Sequence, residues 1–399
     1  MKPLIAFEFK KFFKNKKNLI AIFVFILLIL VEIALCISME KRKTGIEIEL
    51  CNGTVEQCKQ QIDKLKSDYE KTDASDSQGR NFLKEGIDNL SLQKRLNEEK
   101  RNAIVSNDWR KMLDLDIQLD EWSLKGMQKS NATSAQNPEA LIMEIKKDKF
   151  LLKNDIKPIY ESCSMTSYNF IRLTSIDILP LFLLIIISLF SSDIMSNEND
   201  AGTFKVLLIQ PISRTKVLFS KIIASTLINI SIILLTLFGF FIGLGITKGF
   251  GSPKYPVNYY LGSLSFGYKG TNMDSIRLIG IGKFILYMLP LLILMIIALT
   301  AICILISTIM NNSTTAICTS ILIYITIYIF NNQINAFKKI AHCIPLTYLD
   351  VPDVLNGNMI YKFGNTHITL LFGLIILIVS TMICYFISAA IFKKKDIIC

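Results

Sequence analysis

The sequence is thin in the side chains that carry most enzyme chemistry. Its 399 residues include two histidines, His342 and His367, which leaves little for a histidine-based metal site. Nine cysteines are present, but no two stand as C-x-x-C, so that zinc or redox pattern is excluded. A phosphate loop of the form G-x-x-x-x-G-K-[ST] is missing. The nearest stretch, "RLIGIGKF", lacks the first glycine and has Phe284 where Ser or Thr would meet magnesium. H-E-x-x-H and G-x-S-x-G are absent too. No catalytic residue, metal or cofactor is therefore expected in this chain, and energy for any work it does must come from elsewhere.

Apolar residues, by contrast, are abundant. They make up 51% of the chain, and the mean hydropathy is +0.42, too high for a soluble chain of this length. The net charge of +11 raises the question of nucleic acid. Its placement argues against that partner, because the lysines crowd beside the apolar runs, as in a chain oriented by a bilayer. Residues 19–38, "LIAIFVFILLILVEIALCIS", match the roughly 20 residues a spanning helix needs. The run exceeds a signal-peptide core and no small-x-small site follows it, while Leu35 precedes Cys36 where a lipoprotein needs a small residue. It reads as an uncleaved anchor. Before it, residues 1–18 place Ile5, Phe9, Phe12 and Phe13 at helical spacing among Lys10, Lys11 and Lys14, which predicts a helix lying in the cytoplasmic interface.

Five further apolar runs follow, roughly 171–191, 222–246, 282–308, 314–332 and 367–392. The expected fold is all-α, a polytopic membrane protein with six transmembrane helices and a helical extracytoplasmic insert, 39–170, between the first and second. Six spans put both termini on one side, and the basic ends "KKFFKNKK" and "FKKKDIIC" make that side the cytoplasm. Lys248, Lys254, Lys269 and Arg277 in the loop 247–281 run against this bias.

The insert is charged, with apolar positions at helical steps: Leu83, Ile87 and Leu90, then Leu115, Leu119 and Trp122, then Leu141 and Ile145. "SQGR" and "SNATSAQNP" read as breaks between hairpin-like helices. Asn52 and Asn131 head glycosylation-type triplets, a motif short enough to arise by chance. Outside the cytoplasm, a disulfide among Cys51, Cys58 and Cys163 and three free thiols are both open.

Two acids lie in or beside apolar runs, Glu32 in the first and Asp177 in the second. Either both sit at the outer headgroup level or they line a translocation path. The remaining mixed stretch is 192–221, between the second and third spans, within the 171–399 block. "SNENDAGT" breaks helix, with Glu198 and Asp200 bracketing a turn and Gly202 free to take a positive φ. Phe204, Leu207 and Leu208 form a short amphipathic turn. Pro211 and Ser213 suit a helix start, and Lys216 and Lys221 flank the next span.

The pattern "E-x-D-A-G-T-F-K-x-L-L-x-x-P-I-S-R-x-K-x-x-x-S-K", residues 198–221, resembles the signature of permease subunits of type-2 ATP-binding-cassette exporters, above all the bacitracin- and lantibiotic-resistance branch. Glu198, Gly202, Thr203, Leu207, Leu208, Pro211, Ser213, Arg214 and Lys221 carry the match. The resemblance implies that this segment, with Phe204 and Lys216, is a coupling helix that docks on separate ATPase subunits, which would hold ATP and magnesium. It also implies a second permease copy, in a homodimer or heterodimer, and a bacterial plasma membrane. The implied cargo is an amphipathic peptide antibiotic or a lipid-like molecule, moved outward. "IPLTYLDVPDVLNG", 344–357, resembles the family's segment before the last span, where a short outer helix re-enters the membrane edge. The long insert departs from the family. It leaves a second reading, a sensor or immunity scaffold that captures a toxic peptide without transport. A third, a secondary transporter or channel, lacks paired broken helices and internal inverted similarity.

Overall fold

The computed structural model describes residues 2–73, 76–130, 138–200, 202, 213–264 and 275–394. Six helices among them are long and apolar enough to cross a membrane. The chain forms two compact units, one of Met1–Ile33 with Met165–Cys399, the other Ala34–Ser164.

The first unit begins with α1, Lys2–Lys14, and the start of α2, Lys16–Lys71. Asn15 separates them, and its side chain accepts from the Lys17 amide at 3.1 Å, satisfying one of the free N–H groups of α2. The second apolar run, expected as one span over 171–191, is two helices, α6, Ser167–Asp177, and α7, Leu179–Ser191. Pro180 stands in the first turn of α7 and has no N–H to extend the earlier helix. After α8, Ser196–Asp200, the third span α9 covers Arg214–Lys248. It starts directly after Ser213, a residue read as suiting a helix start, and runs through Arg214, Lys216 and Lys221 into the apolar run from 222.

Loop 247–281, expected without strands, holds an antiparallel pair, β1 (Pro256–Tyr260) and β2 (Ile276–Gly280), in register Pro256↔Gly280. Val257, Tyr259 and Tyr260 in β1 and Ile276 and Ile279 in β2, β-branched or aromatic, favour it. The fourth span, α10, Ile281–Ile309, is central, with α7, α9, α11 (Ser313–Gln333) and α15 (Leu370–Lys394) all packed on it. Leu291, Met295, Ile296, Leu299 and Ile304 of α10 are fully buried. Leu322, Ile325, Ile329 and Phe330 of α11 are exposed, so its outer face is one that lipid accepts and water does not. Between α11 and α15 run a short helix, α12 (Asn335–Ile340), two 3-10 turns, and two short helices, α13 (Val351–Asn356) and α14 (Asn358–Phe363). Gly357 joins these last two at φ +85°, where a Cβ would be strained and would also press on Tyr260.

The second unit continues α2 from Ala34, with no break at the expected boundary 38/39. It adds α3 (Ser77–Val105), α4 (Trp109–Ser130) and α5 (Pro138–Lys153). "SQGR", expected as a break, is the first turn of α3, capped by Asp76 accepting from the Gly79 amide at 2.9 Å. "SNATSAQNP" falls almost wholly outside the described residues, as does Asn131. Leu115, Leu141 and Ile145 lie in the core as their spacing required. Cys51, Cys58 and Cys163 are buried free thiols, the second of the two alternatives left open by the sequence. Cys51 and Cys58 are seven residues apart on one helix, a rise of about 10 Å, beyond the reach of a disulfide.

Candidate functional site

The ends of the stretch 192–221 come together at one end of the first unit. Lys221 lies two turns into α9, and its side chain is 1% exposed. An ammonium at such a place costs several kcal/mol unless it is paired. Here it is paired twice, with Glu8 Oε1 of α1 at 2.6 Å and Glu198 Oε1 of α8 at 3.0 Å. Lys11, one turn beyond Glu8 on α1, reaches the same Glu198 oxygen at 2.6 Å. Two lysines and two glutamates thus cancel, with Lys221 and Glu198 buried, Glu8 largely so and Lys11 at the solvent-facing edge. Below it Lys17 donates to Asp193 Oδ2 at 2.5 Å and to the Leu189 carbonyl at 2.6 Å. Phe12 packs edge-on against Phe190 at 4.9 Å and closes the cluster on its apolar side.

The same segment is tied to two further helices. The Ser307 hydroxyl of α10 accepts from the amides of Met195 and Ser196 at 3.0 and 3.1 Å, capping α8 from outside. Asp200 accepts from the Ser313 amide at 2.8 Å and from the Ser313 hydroxyl, at the N-terminus of α11, where a carboxylate is favoured. Those two donors hold the Asp200 carboxyl below its ordinary range. Gly202 follows at φ +64°. Deeper among the spans, Asn229 Nδ2 donates to Ser191 and Thr300, each at 2.9 Å, and Ser191 meets Ser225 at 2.8 Å. Small polar groups of this kind join helices in apolar surroundings.

Of the residues singled out from sequence, Glu198 and Lys221 are in the cluster. Gly202 lies just beyond it. Thr203, Phe204, Leu207, Leu208 and Pro211 lie outside the described residues. Ser213 precedes α9 in extended conformation, and Lys216 is exposed in its first turn. Arg214 donates to the Lys393 carbonyl at 3.1 Å, at the C-terminal end of α15. The N-terminal helix and the C-terminal turn of α15 therefore share this end with the stretch 192–221. Glu32 and Asp177 lie elsewhere. Glu32 is buried and accepts from Thr174 at 2.9 Å. Among the described residues, no three His, Cys, Asp or Glu are arranged to hold a metal ion.

Residues 3–397 match the family model described as ABC-2 family transporter protein. The chain belongs to that family. It is a multi-pass membrane permease component of an ABC transporter, a family whose ATPase activity resides in a separate subunit. No curated protein and no solved structure matches it.

The sequence reading of this permease missed Glu8, Lys11, Lys17, Asp193, Ser307 and Ser313. One signal was available, because Glu8 is the single acid among the first eighteen residues and stands three before Lys11. Ser307 and Ser313 carried none, since a serine in an apolar run reads the same whether or not it caps another helix.

Proposed function

We propose that the permease belongs to an ATP-driven exporter and that 192–221 is the handle on which a separate ATPase subunit acts. One observation carries this reading. The two ends of the handle are pinned to each other, Glu198 to Lys221, inside a buried cluster that also holds α1. A loop with a loose root would absorb a push. A loop rooted in paired buried charge passes it to α7 and α9, because separating those charges is costly.

The handle and both termini face the cytoplasm in this reading, supported by the lysines gathered at that end. The unit Ala34–Ser164 then lies outside. Two permease copies work with two ATPase subunits, which supply ATP and magnesium, while this chain has no cofactor. ATPase closure shifts the spans only because the handle binds the closed state better than the open one. The cargo is an amphipathic peptide or a lipid-like molecule, and the resemblance at 198–221 favours the bacitracin and lantibiotic branch, with resistance or immunity as the physiological role.

The test is co-purification with an ATPase encoded beside it, followed by Arg214→Glu. The expected result is a stable complex whose stimulated ATP hydrolysis falls in the variant. A chain that binds no ATPase in detergent or nanodiscs overturns the reading. A complex that hydrolyses ATP but moves no labelled peptide in sealed vesicles favours the sensor or scaffold instead.

A further inference from the structure

The first unit holds a half-open cavity of about 530 Å³ whose lining residues include none of the charged cluster. Its apolar wall comes from Pro180, Leu181 and Leu184 of α7 and from Ile325 and Tyr328 of α11. Its polar wall is made of Asp177 at the end of α6 and Asp350 and Asp353 around the start of α13. The described lining residues thus include three aspartates and no lysine or arginine. Asn356 and Asn358 donate to a single oxygen of Asp353, Oδ1, at 3.1 and 3.0 Å. Glu32 is near enough to Asp177 for their charges to interact, and its Oε1 has no hydrogen-bond partner although the residue is 8% exposed.

A cavity of this size suits a small organic molecule. Arg172 offsets part of the charge of Asp177 and Lys362 part of that of Asp350, and the negative charge left on the polar wall favours an occupant bearing positive charge over a neutral or anionic one of the same shape. A lipid tail or the flank of a second copy would fill the apolar wall and bring no further positive charge to the polar one. We infer that this cavity is a binding site for a cationic amphiphile, its apolar body against α7 and α11 and its cation among Asp177, Asp350 and Asp353. The assignment rests on the exporter reading and adds the sign of the cargo's charge. Glu32 and Asp177 then act as one acidic corner, with Asp177 in contact with the ligand and Glu32 behind it.

Tetraphenylphosphonium and tetraphenylborate have nearly the same shape and opposite charge. Binding of each to the full chain in nanodiscs, corrected for protein-free discs, tests the assignment. The cation is expected to bind saturably and at least tenfold more tightly than the anion, about the effect of one well-placed charge contact. Asp177→Asn with Asp350→Asn should erase most of that preference while leaving the melting temperature within a few degrees. Leu184→Trp should block both ions by filling the apolar wall. If that variant does not fold, the two isosteric Asp→Asn changes still decide. Equal affinity for the two ions, preference for the anion, no saturable binding, or an unchanged preference in the double variant overturns the assignment. Charge-selective binding without ATP-driven movement would remove the exporter reading and leave the cavity assignment standing. Intact ATP-driven movement of a neutral cargo, with no charge preference here, would do the reverse.

Discussion

Lys221 and Glu198 stand 23 positions apart in the chain and 3.0 Å apart in space, and the residues between them form the segment expected to meet the ATPase. The pair closes the root of that segment like a clasp. Glu8 and Lys11 bring the N-terminal helix into the same charge balance.

Breaking the clasp from one side should be severe. Glu198→Ala leaves Lys221 buried with a single partner, and a cost of about 3–5 kcal/mol is expected for uncovering such a charge. Thermal unfolding of the purified chain measures it. Lys221→Met combined with Glu8→Gln and Glu198→Met should recover much of the stability, since it removes the buried charges together. ATPase stimulation should stay low in both, because the root no longer resists separation. Full stimulation in the triple variant would rule out the mechanical role of the clasp.

The polar contacts deeper in the spans should matter far less. Thr300→Val removes one hydrogen bond to Asn229, and contacts of this type between spanning helices average about 0.6 kcal/mol. A loss as large as that of Glu198→Ala would mean that Asn229 holds more than two neighbours.

Orientation has a direct chemical readout. With the native cysteines replaced, Lys205→Cys should react with a membrane-impermeant maleimide in inside-out vesicles and not in intact cells. Labelling from the exterior alone would place the handle on the wrong face for an ATPase.

The second unit should respond to pH. Asp116 and Asp120 of α4 face Glu144 and Asp148 of α5, with Lys100, Lys147 and Glu47 close by. Burial, then neighbouring carboxylates, push Asp148 up to about 7 and Asp120 up to about 6, from an ordinary 3.8. A carboxyl raised on folding binds its proton more tightly in the folded state. Its contribution is therefore full below pH 4 and is lost as pH climbs to about 7. Both tryptophans, Trp109 and Trp122, lie in α4, so their fluorescence reports this unit alone. Its unfolding midpoint should fall between pH 5 and pH 8, and Asp148→Asn should flatten the fall. A midpoint that rises over this range would contradict the packing of α4 on α5.

Much of the architecture was legible because membranes impose long-range constraints through local composition. A run of about twenty apolar residues must be helical in hydrocarbon whatever its neighbours do. The spans at 282–308 and 314–332 therefore end within a residue or so of α10 and α11. The heptad-like steps at Leu115, Leu141 and Ile145 located the core of the second unit for a similar reason, since a helix face is fixed by spacing alone. The clearest departure is the second apolar run, where Pro180 divides an expected single span into α6 and α7 because it has no N–H to carry the earlier helix on.

The sequence by itself determined that this protein crosses a membrane, that it is built from helices, and that its stretch 198–221 resembles a permease signature. Those are properties of contiguous residues, written in hydropathy, spacing and motif. Only the tertiary structure decided that Lys221 is buried, that Glu8 and Glu198 neutralise it, and that Asp177 shares a cavity with Asp350 and Asp353. Such pairings depend on which helix faces meet, and residues about two hundred positions apart leave no mark on one another in a single sequence.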